Sequence, residues 1–408
     1  MTELTNGRSG RKPRRGSAPA AAPEPAAPDE SAPPTVREGA VAKGRRRGAR
    51  RGGGQGRALP LPARGASINP VCRFDHVVRS LDEEADGEDR PAPATTVQAE
   101  KATRIISRND SPDLGFDRSI NPYRGCEHGC VYCFARPTHA YLNLSPGIDF
   151  ETRLSVKTNA AELLRRELSA RGYRAKTMVL GGVTDAYQPI EREHRQTRAV
   201  LEVLATCGHP VAIVTKSALV VRDADLLSQM AERGLAKVAI SLTTLDPELA
   251  RRMEPRAAAP RRRLAAMEAL ARAGIPVQVM VAPIVPAIND AEIERLLEAA
   301  REAGASEAGY VLLRLPHEVV DIFSDWLARH YPDRARRVMQ LMRSMRGGKD
   351  YDSQWGVRLT GEGPFATLVA RRFELATRRV GLATERTRLR TDLFVPPTPT
   401  GEVQLALL

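Results

Sequence analysis

The amino-acid sequence predicts an α/β protein whose strands run parallel and are joined by helical crossovers. Two observations carry that prediction. From about residue 118 to residue 316, short apolar runs alternate with longer segments of helical periodicity, which is the pattern of strand–helix units in a parallel sheet. Each run also gives way, at its C-terminal end, to polar or charged residues. In parallel α/β architecture that end is the binding face.

The runs are Met178–Leu180, Val211–Val214, Val238–Ile240, Val277–Val281 and Tyr310–Leu313. Helical patterns lie between them near 159–170, 194–206, 223–233, 261–273 and 290–303, and a longer one covers 318–345. Asp223 and Asn289 or Asp290 are expected as N-caps, and Gly234, Gly274 and Gly304 stand where helices should stop. Four strand ends direct polar groups toward one region: Thr184 and Asp185; Thr215, Lys216 and Ser217; Ser241 and Thr243; and Arg314. Arg314 offers a planar fork suited to an anionic substrate group. His317 follows the last strand end and is a candidate for substrate binding or proton transfer.

The chain has 408 residues, 42% of them hydrophobic, so a sizeable core is expected. No run of 18 apolar residues is present, which argues against a membrane span. Met1 is not followed by a basic and then an apolar stretch, so a secretory signal is not expected. Five cysteines in so long a chain do not suggest a disulfide scaffold. These features point to the reducing cytoplasm.

The net charge of +13 is unevenly placed. Residues 1–65 hold 14 Lys/Arg against five Asp/Glu and are rich in Ala, Pro, Gly and Arg. Such a segment has too little apolar surface to offset the entropy of ordering, and is expected to be a disordered basic tail. It is suited to contacting nucleic acid through phosphates, or serves as a solubilising extension. Residues 66–115 read as a loosely structured lead-in, 116–316 as the strand–helix body and 317–408 as a helical C-terminal extension. Trp326 and the nearby Met residues read as core. The region 346–382, with Tyr351, Trp355 and Phe365, is expected to cap the open end of the body.

The sharpest feature is the segment Asn121 to Phe134, which contains Cys126, Cys130 and Cys133. Thiolates are soft ligands that select zinc, copper(I) or iron–sulfur clusters. A structural zinc site needs a fourth protein ligand, which His128, His139 or Cys207 would have to supply. Three cysteines on a cubane would instead leave one iron free to bind an external chelating group. A non-catalytic zinc or iron–sulfur module that binds nucleic acid is the rival to an enzyme at this point.

The C-x3-C-x2-C spacing with Tyr132 before the last cysteine resembles the radical S-adenosylmethionine (radical SAM) superfamily over about residues 118–316. The segments Arg118–Cys126, Thr184–Glu191, Val214–Ser217, Thr243–Pro247 and Gly347–Lys349 resemble spore photoproduct lyase and its uncharacterised bacterial relatives. The resemblance implies an incomplete (β/α)6 TIM-like barrel. It implies a 4Fe-4S cluster on Cys126, Cys130 and Cys133, with S-adenosyl-L-methionine on the open iron. It also implies a 5′-deoxyadenosyl radical that abstracts a substrate hydrogen, and an electron donor such as ferredoxin or flavodoxin. Tyr132 and Phe134 would lie beside cluster and adenine. Gly181 and Gly182 would approach the cofactor's amino group, with Thr184 and Asp185 as its oxygen acceptors. Lys216 would face the cofactor carboxylate, and Ser241 the ribose or carboxylate. Spore photoproduct lyase carries a cysteine near the end of its second strand that returns hydrogen to the product radical. The matching stretch here, Leu180–Thr184, has no thiol, so that route lacks its donor.

Overall fold

The computed structural model describes residues 64–74, 94–383, 385 and 387–398. Most of the basic tail and the acidic stretch 82–88 lie outside the described residues.

Among the described residues ten strands form two sheets. The larger takes in β2 (Ile106–Arg108), β3 (Arg118–Ile120), β6 (Met178–Leu180), β7 (Val211–Thr215), β8 (Ala236–Ser241), β9 (Val277–Ile284) and β10 (Glu307–Leu312), in the order β10-β9-β8-β7-β6-β3-β2. From β3 to β10 every neighbouring pair is parallel. Six parallel strands in sequential order are the incomplete (β/α)6 barrel expected. The strands are apolar on both faces because helices cover one side and the barrel interior the other. The smaller sheet, β1 (Thr96–Glu100), β4 (Tyr123–Arg124) and β5 (Arg153–Lys157), has the order β1-β5-β4. Residues 94–115 are therefore not loosely structured: β2 adds an antiparallel edge to the barrel sheet, and β1 pairs with β5.

Eleven α-helices are described: α1 (Asp149–Thr152), α2 (Ala160–Leu168), α3 (Glu191–His194), α4 (Gln196–Thr206), α5 (Ala224–Glu232), α6 (Pro247–Met253), α7 (Pro260–Arg272), α8 (Ile293–Glu302), α9 (Val319–His330), α10 (Pro332–Ser344) and α11 (Gly363–Arg379). Gly234, Gly274 and Gly304 end their helices with positive φ, as expected. Asp223 and Asn289 stand at the expected N-cap positions, of α5 and of a 3-10 helix over Asp290–Glu292, but neither side chain caps a helix N–H. Asp223 precedes α5, but its carboxylate takes Arg198, Arg222 and the Tyr187 hydroxyl instead of a helix N–H. Asn289 braces the end of β9, accepting from Val285 N and donating to the Thr243 and Pro283 carbonyls.

The helix expected over 318–345 is two helices. Pro332 opens α10 and has no N–H to continue the ladder, so the chain turns at Tyr331. Trp326 is buried as expected, with Nε1 donating to the Arg252 carbonyl. The α11 helix does not cap the barrel. It lies against α8, tied by Arg372 to Glu294. Residues 345–361 instead run past the end of β10, where Leu312 N donates to the Leu359 carbonyl.

Candidate active site at the strand ends

The cysteine loop leaves β4 and enters a 3-10 helix at Arg136. Gly125 and Gly129 have φ near +70°, a region that only glycine occupies cheaply. Neither has room for a side chain: a Cβ at Gly125 would lie 2.5 Å from Leu154 Cδ2, and one at Gly129 2.7 Å from Glu151 Oε2. The loop is bonded on every side. Cys126 N donates to the Phe150 carbonyl (2.9 Å), Val131 N to Met253 (3.0 Å) and Arg256 N to His128 (3.2 Å). Gln188 bridges it, accepting from Glu127 N and donating to the Gly125 carbonyl.

Beneath the loop, Arg136 and Glu151 form a fully buried ion pair at 2.5 Å. Arg136 Nε donates to the Cys130 carbonyl (2.9 Å), and its Nη1 to Pro146 and Gly147. Glu151 also accepts from Gly65 N and Ala66 N. With all these partners the pair avoids the usual cost of buried charge. Residues 64 and 65, expected in the disordered tail, are thus part of the loop's support.

Cys126 and Cys130 are buried and Cys133 is half-buried. Burial, then the neighbouring Asp185 and the other two cysteines, pushes the Cys126 thiol well up. Burial pushes Cys130 up to about 12, with Lys216 pulling the other way. Such thiols are inert as free nucleophiles but become thiolates beside a metal. Among the described residues no three His, Cys, Asp or Glu side chains are close enough together to hold a single metal ion. A cubane binds each cysteine through a different iron. Three mutually sensing thiols in a pre-curled, braced loop fit that donor set. Of the side chains considered as a fourth zinc ligand, His128 faces Asp185 at 3.3 Å, and His139 Nε2 lies 2.9 Å from the Arg153 carbonyl. Cys207 follows α4, where its carbonyl accepts from Val395 N, at the opposite end of the strands.

The strand ends sort into committed and open groups. Asp185 is committed: it accepts from Tyr187 N, Thr215 Oγ1 and Lys216 N, and faces His128. Burial raises its pKa, but His128 and these hydrogen bonds outweigh burial and hold it well below the usual carboxylate range. Thr184 Oγ1 donates to the Tyr123 carbonyl. The four hydrogen-bond and ion-pair contacts of Asp185 occupy its carboxylate, whereas Thr184 spends its hydrogen on the Tyr123 carbonyl and keeps its oxygen as an acceptor. Gly181 is needed for another reason, since a Cβ there would lie 2.1 Å from the Val214 carbonyl oxygen. Gly182 has only ordinary contacts around it.

Lys216 and Ser241 are open. The Lys216 ammonium lies 5.7 Å from the Tyr132 ring centroid and makes no hydrogen bond among the described residues. Burial lowers its pKa, but Cys130 and Glu254 outweigh burial and raise it, so it stays charged. Ser241 is a buried residue, and its hydroxyl likewise makes no hydrogen bond among the described residues. Tyr132 is buried and donates to Glu254. Phe134 is 43% exposed and stacks under Arg314 instead of packing into the core. His317 is exposed and is not drawn into this group.

A buried network was not legible in the sequence. Glu254 accepts from Tyr132, from Thr243 Oγ1 (2.6 Å) and from Arg263. Arg263 also donates to the Ser241 and Ala258 carbonyls. Burial raises Glu254, but Arg263 and Lys216 hold it down to about 2. Only the folded chain brings residues 132, 243, 254 and 263 together. Glu254 stands beside Arg251, Arg252 and Arg256, and Arg263 beside Arg261 and Arg262, so no local pattern marks either of them.

The model of the Radical SAM superfamily matches residues 120–300. An uncharacterised protein of Mycobacterium tuberculosis (strain H37Rv) is 40% identical over 232 residues, 56% of this chain and 68% of that protein. An uncharacterised protein of Methanocaldococcus jannaschii is 29% identical over 193 residues, 47% of this chain and 69% of that protein. A structure of spore photoproduct lyase complexed with dinucleoside spore photoproduct aligns with a TM-score of 0.51 at 16% identity, over 70% of this chain and 80% of that one. The chain belongs to the radical SAM superfamily of enzymes, whose cofactors are a 4Fe-4S cluster and S-adenosyl-L-methionine. Within it, the fold is that of the spore photoproduct lyases, and the sequence groups with the uncharacterised mycobacterial protein. No helix among the described residues is long and apolar enough to cross a membrane.

Proposed function

We propose that this chain is a cytoplasmic radical SAM enzyme in which Cys126, Cys130 and Cys133 hold the cluster and the substrate is a nucleotide or nucleic acid. The observation that carries the reading is the pairing of a braced three-thiol loop with an uncommitted ammonium, Lys216, at the same strand ends. One-electron cleavage of S-adenosyl-L-methionine and hydrogen abstraction are the chemistry the bound cofactors supply.

The chain's own residues bind, orient and exclude water. Lys216 holds the cofactor carboxylate by a charge-assisted hydrogen bond. Ser241 offers a hydroxyl to the ribose or carboxylate, and Tyr132 walls the cluster from solvent. Gly181 and Gly182 let the cofactor's amino group approach the backbone. Asp185 and Thr184 act as positioning residues that fix the ends of β6 and β7. An external electron donor of the ferredoxin or flavodoxin class serves the reaction. The nucleotide class is supported by the likeness to spore photoproduct lyase and by the cationic residues 1–65. The missing thiol at the second strand end favours an outcome other than hydrogen return from a cysteine.

Anaerobic reconstitution tests the proposal. The protein should take up about four irons and four sulfides and release 5′-deoxyadenosine when reduced with S-adenosyl-L-methionine. Replacement of the three cysteines by Ala should abolish both. A single tightly bound zinc without inorganic sulfide would instead establish the non-catalytic module.

A further inference from the structure

The charged groups at the C-terminal end of β10 are not used by the function proposed above. Arg314 follows that strand. Its guanidinium carbon lies 4.9 Å from the Phe134 ring centroid and 6.0 Å from that of Tyr351. One terminal nitrogen donates to the Tyr351 hydroxyl at 3.3 Å. Its Nε is buried without a hydrogen-bond partner, and the other terminal nitrogen makes no hydrogen bond among the described residues.

Arg346 stands behind it with no exposed surface. It donates to the Val357 and Leu313 carbonyls, and its Nε too has no partner. Burial, then repulsion from Arg314, pushes Arg346 down. Asp352 and Glu362 act on Arg346 only through space; Asp352 is bonded to Lys349 and to Gln354 N. Neither arginine forms an ion pair among the described residues. Two adjacent guanidiniums with unmet donors are costly to a fold unless an anion joins them.

We propose that the end of β10 is an oxyanion subsite, in which Arg314, framed by Phe134 and Tyr351 and backed by Arg346, receives a carboxylate or phosphate of the substrate. The Phe134 and Tyr351 rings orient the guanidinium plane, and only one of its donors is spent among the described residues, on the Tyr351 hydroxyl. Phe134 directly follows Cys133, so a group held here lies beside the cysteine loop. The inference rests on the radical SAM reading for the reaction served, and not for the binding itself.

Equilibrium dialysis of the anaerobic holoenzyme tests it, with four probes: cytidine 5′-monophosphate, cytidine, benzoate and benzyl alcohol. A charged probe should bind at least tenfold tighter than its neutral counterpart. Preference for the monophosphate or for benzoate then names phosphate or carboxylate as the group. Arg314→Gln should erase the preference while leaving the S-adenosyl-L-methionine dissociation constant unchanged. Arg314→Lys, which keeps the charge and loses the fork, should bind severalfold more weakly than wild type, and guards against misfolding of the Gln variant. Equal binding of charged and neutral probes by wild type, or an undiminished preference in both variants, overturns the inference. If wild type shows the oxyanion preference but binds no S-adenosyl-L-methionine, the proposed function fails and the subsite stands.

Discussion

Lys216 keeps its charge in a half-buried setting because Cys130 and Glu254 lie near it, yet it hydrogen-bonds to neither. An ammonium in that state gains by accepting an external carboxylate. Lys216→Ala should therefore weaken S-adenosyl-L-methionine binding by about tenfold or more, the equivalent of roughly 1.5 kcal/mol for a hydrogen bond to a charged group. An unchanged dissociation constant would remove Lys216 from the site. Glu254 is read differently. It is the counter-ion of Arg263 and the acceptor for Tyr132 and Thr243. Glu254→Gln leaves a buried guanidinium without its anion, so we expect a loss of about 3–5 kcal/mol in denaturant unfolding. A variant as stable as wild type would show that the network is dispensable. The sequence could mark Lys216, because it stands directly after an apolar strand. It could not mark Glu254, whose partners are brought to it by three other segments.

At the scale of elements, the cysteine loop depends on a strap that precedes the barrel by some fifty residues. A Cβ at Gly65 would lie 1.7 Å from the Gly129 carbonyl oxygen, and Gly65 N and Ala66 N both cap Glu151. Composition alone drew the tail's edge at residue 65. Arg64, the first of the described residues, is already held by the body: its side chain donates to the Glu151 carbonyl and to Thr95. Truncation of residues 1–62 should leave iron content and cofactor cleavage intact. Truncation of residues 1–66, or Gly65→Val, should lower iron retention after reconstitution. Equal retention in all three proteins would show that the strap does not support the loop.

A second element-level contact sits at the other end of the strands. His209 is fully buried between Tyr173 and Phe394, with Nε2 bonded to the Tyr173 hydroxyl at 2.9 Å. Burial chiefly, helped by Arg118, lowers its pKa to about 4. The unfolded chain takes up this proton near pH 6.5, and the folded chain does so only near pH 4. Stability from this group is therefore complete above pH 6.5 and is lost as pH falls toward 4, by about 2 kcal/mol at pH 5. His209→Gln should flatten that part of the stability–pH profile; parallel profiles for the two proteins would refute the assignment.

At the scale of the whole molecule, charge is segregated: 14 of the 62 basic residues fall in residues 1–65. If these cations bring nucleic acid to the enzyme, removing residues 1–62 should weaken single-stranded DNA binding and shallow its salt dependence. An unchanged slope would leave the tail a solubilising extension. The sequence by itself determined the parallel α/β body, its helix stops and the cysteine loop. Those are local matters, of periodicity, of glycine in left-handed turns and of ligand spacing along a few residues. Only the tertiary structure decided which strand-end groups are free. Asp185 looked as available as Lys216 and Ser241 until folding gave its carboxylate partners at the neighbouring strand end and in the cysteine loop. The same holds for the Arg136–Glu151 brace, the Glu254 network and the two arginines at β10. Each joins residues distant in sequence, and burial, which no local pattern records, sets what each charge must be paired with.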